Sequence, residues 1–378
     1  MAGSPATGQS GLPALPEGTI ARALAFSDLA GWEADDHAAA FRAMLSTCQS
    51  LILGAPSQRQ AKAPLPELVS LCAAALRVGS PDARSARLFF EAHCQPLEIA
   101  PPGGQGFLTA YFEPEVSASR HRTAEFPIPI LGRPADLVTL QPNDQRPPGL
   151  DPALAAARRT SRGLEPYIDR AEIWHRGLDG QGLEIAWLRD ETELFIIQVQ
   201  GSARLTLQDG SRARLSYAGR NGHTYTSIGR ILVEQGEIPL SEMSLARLTG
   251  WLRKNPARGR ALMERNRSYV FFTLSPLDDP TRGPIGGAGV PLTAGRSLAV
   301  DRSLWAYGLP VWISSSPLTP QGPRVSLDRL MIAQDTGSAI IGPARGDFFM
   351  GSGADAGDRA GLVRDPMRFI VLWPRGAH

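Results

Sequence analysis

Lysine is nearly absent from this chain: only Lys62 and Lys254 occur, so arginine carries its positive charge. The net charge is just +2 and no dense basic stretch appears, which argues against nucleic acid as a partner. No apolar run approaches the roughly 18–20 residues that would cross a bilayer as a helix. Residues 1–11 are small and polar, without the charged and then apolar regions of an export signal or a nearby lipidation cysteine. The expectation is therefore no export signal in the chain as written, although a processed chain would read the same. The six histidines are scattered, and Cys48, Cys72 and Cys94 form no CxxC, so zinc is not expected. There is no Walker A loop and no G-x-S-x-G elbow. The glycine-rich run 351–357 has the wrong spacing and context for a dinucleotide loop.

What is abundant is glycine and proline, 39 and 32 residues, which favours many turns and short strands over a helix bundle. Hydrophobic residues at 43% and 378 residues in all allow a sizeable core and two domains, or one domain with a large insertion. Residues 1–18 are small and proline-rich, and mobility is expected there. Helical spacing then follows: one segment capped by Asp35 or Asp36, a second over 65–76, and a third from Ser80-Pro81 to about 93. Strand texture begins at Phe107. Residues 132–163 read as an irregular connection, 194–200 as a strand, and 203–217 as a hairpin about Asp209-Gly210. Short helices are expected over 227–234 and 244–254, and strands and turns from Phe271 to Trp373.

The candidate chemistry is a set of aspartates in glycine-rich turns: Asp301, Asp335 and Asp347, with Asp355 following. Asp335 stands at the end of a strand over 330–333, and Asp347 follows another over 339–341. Glycine permits tight turns and close approach of a ligand, so the carboxylates can converge on a cleft. An aspartate beside glycine is more usually there only to cap a turn or bond its own backbone. Paired carboxylates suggest glycoside chemistry, but spacing alone is thin support.

Longer runs carry more. They include Phe107-Leu-Thr-Ala-Tyr-Phe-Glu-Pro114, Val199-Gln-Gly-Ser202 and Ser216-Tyr-Ala-Gly-Arg-Asn-Gly-His-Thr-Tyr-Thr-Ser-Ile-Gly-Arg230. Further along come Ser268-Tyr-Val-Phe-Phe272, Gly289-Val-Pro-Leu292, Ser297-Leu-Ala-Val-Asp-Arg-Ser303, Met331-Ile-Ala-Gln-Asp-Thr-Gly337 with Ala339-Ile-Ile-Gly342, and Gly346-Asp347 leading to Gly351-Ser-Gly353. From about 86 to 373 the sequence resembles the membrane-bound lytic murein transglycosylase A family, with a C-terminal triple-aspartate domain carrying Asp301, Asp335 and Asp347.

The resemblance implies a mainly β protein with flanking helices. A double-psi β-barrel would be built from 19–114 and 266–378, with a smaller β-rich domain inserted at 115–265 and a glycan groove between them. It implies cleavage of the β-1,4 bond between N-acetylmuramic acid and N-acetylglucosamine, with formation of a 1,6-anhydromuramic product and no hydrolytic water. Asp347 matches the acid that protonates the glycosidic oxygen and then takes the proton of the sugar's 6-hydroxyl. Asp335 and Asp301 are given supporting roles, electrostatic or in holding the cleft.

Thr109 and Tyr111 match the strand lining the groove, and Gly201, Ser202 and Gly337 fall in matching motifs. Gln198 and Gln200, alternating on one face of the expected strand, suit amide–sugar hydrogen bonds or are simply an exposed face. Tyr217, Arg220, Asn221 and Tyr225 lie in the strongest motif of the insert. The tyrosines are equally readable as core, and Asn221-Gly222 as a turn. The chain departs from the family pattern at Ala203 (usually Gly), Phe112 (usually Tyr), Arg220 (usually Lys) and Ser338 (usually Gly). No metal or organic cofactor is implied. The expected partner is the peptidoglycan strand and the expected site the periplasm, with outer-membrane association if a signal was removed, and a monomeric chain. Cys48 and Cys72 on consecutive helices either pair there or remain, with Cys94, three buried thiols. Two other readings stay open: an inverting hydrolase using Asp347 with Asp335, and a glycan-binding module without turnover.

Overall fold

The structure is a computed structural model that describes residues 15–16, 18–141 and 144–376. Most of the N-terminal segment expected to be mobile lies outside these residues. Strand β1 (Ile20–Ala23) leads into three helices, α1 (His37–Ile52), α2 (Pro66–Val78) and α3 (Ala83–His93). Asp36 caps α1 by accepting from the Ala39 amide. Asp35 is instead buried against Arg296, which donates to both its oxygens at 2.7 and 2.8 Å. Helix α3 is capped by Asp82 rather than by the expected Ser80, because the Asp82 carboxylate reaches the Ser85 amide at 2.7 Å. Cys48 and Cys72 form a disulfide between α1 and α2, and Cys94 is a free buried cysteine.

Strands β2 (Cys94–Ala100) and β3 (Gly106–Glu113) follow. The chain then leaves for a second set of elements. These include β4 (Glu115–Ala118), β5 (Ile128–Leu131), β6 (Leu137–Thr139), β7 (Ala156–Thr160), β8 (Gly163–Pro166), the single turn α4 (Arg170–Glu172) and β9 (Glu184–Leu188). After them come α5 (Glu191–Gln200), β10 (Ser202–Leu207), β11 (Arg212–Arg220), α6 (Ile228–Glu234), α7 (Leu245–Lys254), α8 (Pro256–Glu264) and β12 (Val270–Pro276). The stretch 132–163 is not irregular throughout, since β6, β7 and β8 form a small antiparallel sheet. The segment 194–200 is helix α5, not a strand. Its run Leu-Phe-Ile-Ile looks β-like, but Asp190 caps it through the Glu193 amide, and it is buried on nearly every side between two apolar clusters. A short run that is hydrophobic all round cannot be told from a buried strand by periodicity.

The remainder is β13 (Ser297–Ala299), β14 (Pro310–Ser315), β15 (Leu327–Asp335), β16 (Arg345–Ser352), α9 (Ala354–Ala360) and β17 (Arg364–Pro374). Residues 339–341 form a turn rather than the expected strand, and Asp355 lies in the first turn of α9 rather than in a loop. The main sheet runs β1-β2-β17-β14-β15-β13-β16-β3, and a further β17–β3 pairing closes its last six strands into a barrel. Within that ring β13–β15 and β16–β3 are parallel and the other neighbours antiparallel. The fold is thus mainly β with flanking helices: a double-psi barrel plus an inserted β-rich domain. The insert's principal sheet is β12-β11-β10-β4. Because β12 pairs with β11, residues 270–276 still belong to that sheet, beyond the expected limit of 265.

One apolar cluster fills the barrel and carries Phe41, Met44 and Phe90 of the helices against Trp312, Ile332 and Phe369 of the strands. Separate clusters fill the insert. Glu113, wholly buried where β3 gives way to the insert, accepts from Arg204 and Arg214 at 2.8 Å and from the Ser352 hydroxyl at 2.7 Å.

Candidate active site

Strand register brings the aspartates together. Ala299 on β13 is paired with Asp335 of β15 on one side and with Asp347 of β16 on the other. Asp347 is in turn paired with Thr109 of β3. Two strand spacings put the backbones of the two aspartates roughly 9–10 Å apart, and the small Ala299 between them keeps the floor open. Asp347 was expected in a turn; it is a strand residue instead, and its direction is set by the pleat.

Thr109 and Tyr111, two apart on β3, face the same side. The Thr109 hydroxyl donates to Asp347 Oδ1 at 2.5 Å and accepts from Arg345 at 2.7 Å. Tyr111 donates to Asp335 Oδ2 at 2.7 Å. The other Asp335 oxygen accepts from the Gly287 amide at 2.8 Å. Gly287 has to be glycine here, since a Cβ would stand 2.4 Å from the Tyr307 hydroxyl. Both Asp335 oxygens are therefore engaged by the protein.

Burial is the largest influence on Asp347 and pushes its carboxyl above the usual range. The Arg345 cation and the Thr109 hydrogen bond oppose this, and the charge of Asp335 adds to it. Tyr111 is raised well above the ordinary phenol range by burial and by Asp335, so its hydroxyl stays protonated as a donor.

Asp301 is pinned elsewhere. Its Oδ1 accepts from the Ser303 amide and hydroxyl, and its Oδ2 from the Gly342 amide at 2.7 Å. It thereby holds the turn before β16 and does not line the cleft. Gln198 and Gln200 sit on α5, and both of their amide oxygens are engaged by the protein. Gln198 accepts from Arg170 and donates to Val270 O, while Gln200 accepts from the Phe112 amide at 3.0 Å. Both still line the cleft with Gly201, which ends α5 in the left-handed conformation at φ 86°. Ser202 is buried in β10. Asn221 is also buried: its amide donates to Ile168 O and Arg267 O and accepts from the Tyr269 amide, so it braces the insert. Tyr217, Arg220 and Gly337 line the cleft on the Asp335 side, and Tyr225 lines it on the Arg345 side.

Several residues here escaped the sequence reading. Arg59, from loop 53–65, lies 4.0 Å above the Tyr217 ring and donates to Thr336 O at 2.6 Å. Gln334, fully buried, accepts from Ser297 and donates to Ala43 O and Thr47, which ties α1 to the strand carrying Asp335. Arg345 was legible only as the neighbour of a motif. Arg220 donates to Ser338, so two departures from the family pattern meet across the cleft. Among the described residues no group of His, Cys, Asp and Glu is placed to hold a metal ion.

Residues 107–273 match the family described as the MltA specific insert domain, and residues 296–373 match the 3D domain. The membrane-bound lytic murein transglycosylase A of Escherichia coli K12 is 33% identical over 303 residues, which cover 79% of this chain and 73% of that one. Among solved structures, a membrane-bound lytic murein transglycosylase from Agrobacterium tumefaciens superposes with a TM-score of 0.85 at 41% identity, covering 94% of this chain and 98% of that chain. MltA from Neisseria gonorrhoeae gives 0.76 at 28% identity, covering 97% and 96%. Barrel, insert and cleft thus have their counterparts in known enzymes, and this chain belongs to the membrane-bound lytic murein transglycosylase A family.

Proposed function

We propose that this protein cleaves peptidoglycan between N-acetylmuramic acid and N-acetylglucosamine, with Asp347 as its single acid and base. Asp347 donates its proton to the glycosidic oxygen as the C1–O bond breaks. The resulting carboxylate then takes the proton of the muramoyl 6-hydroxyl as O6 bonds to C1. The product is the 1,6-anhydro sugar, and no water is consumed. The proton donor must remain protonated near neutrality, which burial of Asp347 favours.

The observation carrying this reading is the inequality of the two carboxylates. Asp347 has one bond from Thr109 and an open side to the cleft, whereas Asp335 accepts from Tyr111 and from Gly287 on its two oxygens. An inverting hydrolase needs a second carboxylate free to activate water. Asp335 is poorly disposed for that and better suited to fixing Tyr111 and adding negative charge beside the acid. One solved relative is described with bound chitohexaose, which agrees with a saccharide groove. We further propose that the two lobes divide the chain near residues 114 and 276, with the glycan lying between them. A periplasmic setting suits both the substrate and the Cys48–Cys72 disulfide. Among the described residues no helix is long and apolar enough to cross a membrane.

The test is digestion of purified peptidoglycan by the wild type and by Asp347→Ala, with mass spectrometry of the products. Anhydro-muropeptides from the wild type, reduced about 10²–10⁴-fold in the variant, are expected. Reducing-end products would mean a hydrolase, and no products from folded protein would mean a binding module.

A further inference from the structure

The cleft is electrically lopsided. On the Asp335 side of Asp347 it is lined by Arg59, Arg220 and Arg302, contributed by loop 53–65, by the end of β11 and by the turn after β13. Many of the structure's arginines lie within 4 Å of a carboxylate, but none of these three appears among the ion pairs of the described residues. Their partners are neutral. Arg59 donates to Thr336 O and lies on Tyr217, Arg220 donates to Ser338, and Arg302 donates to Gln60 O. Arg133, on the same wall, differs: Ala218 O, Leu137 O and the Thr139 hydroxyl take up its donors. Asp335 is the carboxylate that acts on Arg59, and its oxygens already serve Tyr111 and Gly287. Arg220 is close enough to Arg59 and Arg302 to be repelled by both. Three crowded guanidinium groups without an ion-pair partner, and with Asp335 already engaged elsewhere, form a place for an anion beside the substrate groove.

The sugar backbone of peptidoglycan is uncharged, and its acidic groups are carboxylates on the arm of the muramoyl residue. They belong to the stem peptide when it is attached, and to the lactyl group when it has been removed. We infer that Arg59, Arg220 and Arg302 form a carboxylate seat that recognises the muramoyl arm of the strand being cut. This rests on the transglycosylase reading and deepens it. The seat distinguishes muramoyl from glucosaminyl units, because only the former carries an acid. It thereby fixes which sugar presents its 6-hydroxyl to Asp347. On the opposite side, with Thr109 and Tyr225, Arg345 is turned to the Thr109 hydroxyl and Arg170 is spent on Gln198 and on Asn266 O and Ser268 O.

The test compares the wild type with Arg302→Gln, Arg220→Gln and Arg302→Lys. Arg302→Gln loses one bond to a backbone carbonyl and is the variant least able to disturb the fold. Affinities are measured for three probes: peptide-bearing glycan fragments, amidase-stripped fragments with free lactyl carboxylates, and uncharged chito-oligosaccharide. The expected result is a loss of roughly ten- to a hundredfold for a carboxylate-bearing probe relative to chito-oligosaccharide, as for a hydrogen bond to a charged group. Arg302→Lys should recover part of it. Loss confined to the peptide-bearing probe assigns the seat to the stem peptide, and loss confined to the stripped probe assigns it to the lactyl group. Equal changes for charged and uncharged probes, or none, overturn the seat. Failure of the wild type to release anhydro products would sink the transglycosylase reading instead, and is seen in a separate measurement.

Discussion

At the level of single residues, the proposed chemistry turns on how a strand aspartate is kept protonated without losing its place. Thr109 holds Asp347 by a 2.5 Å bond, and that same bond pulls its proton affinity down. Thr109→Val therefore removes both the restraint and the lowering influence. The alkaline limb of the rate profile, where Asp347 loses its proton, should move to higher pH. Its kcat should fall about tenfold from misplacement of the acid. A pH series of initial rates on peptidoglycan checks this, and a limb moving to lower pH would contradict the assignment of Asp347 as the titrating acid. The sequence singled out three aspartates but not what surrounds them. Asp301, Asp335 and Asp347 look alike in their motifs, yet one pins a turn, one is doubly bonded and one faces the cleft. That distinction arises from partners on other strands, which no local pattern records. Arg59 was invisible for the same reason, since nothing in loop 53–65 announces a cleft.

Among the elements, legibility followed local chemistry. Helices α1, α6 and α7 were readable because Asp36, Ser227 and Ser244 cap them in sequence. Helix α5 was not, because burial on nearly every side erased its polar stripe, and its β-like residues made Gln198 and Gln200 look like neighbours on a strand face. On the helix both amides instead brace the barrel and the insert. The pairing of α1 with α2 was readable only as one of two alternatives. Cys48 and Cys72 are separated by 24 residues, and closing a loop of that length stabilises by about 3 kcal/mol in the chain-entropy view. Cys48→Ala with Cys72→Ala should lower the unfolding free energy by about that amount in denaturant titrations. Cys94, whose thiol burial pushes up to about 12, should not re-pair or react with a thiol reagent in the folded protein. Rapid labelling of Cys94 in the native variant would show that the cluster around it had opened.

For the molecule as a whole, the joint between barrel and insert rests on Glu113. The sequence marked Glu113-Pro114 as the end of a strand. It did not reveal that this carboxylate would be enclosed by arginines of two insert strands and a serine of the barrel. Removing one partner of such a cluster leaves charge buried without compensation, at a cost of about 3–5 kcal/mol. Glu113→Gln should show that loss in calorimetry, together with weaker glycan binding as the two walls of the cleft lose their common anchor. Unchanged stability would mean that Glu115, which also pairs with Arg204, suffices. The closed ring of strands has a consequence in time. Asp347 and Thr109 stand 238 residues apart in the chain, and the ring shuts only when β17 lies beside β3. Pairings of such long range form late in folding. A chain still being made therefore lacks the assembled cleft, and on the proposed reading an enzyme that cuts the cell's own wall becomes active only once its final strand has arrived.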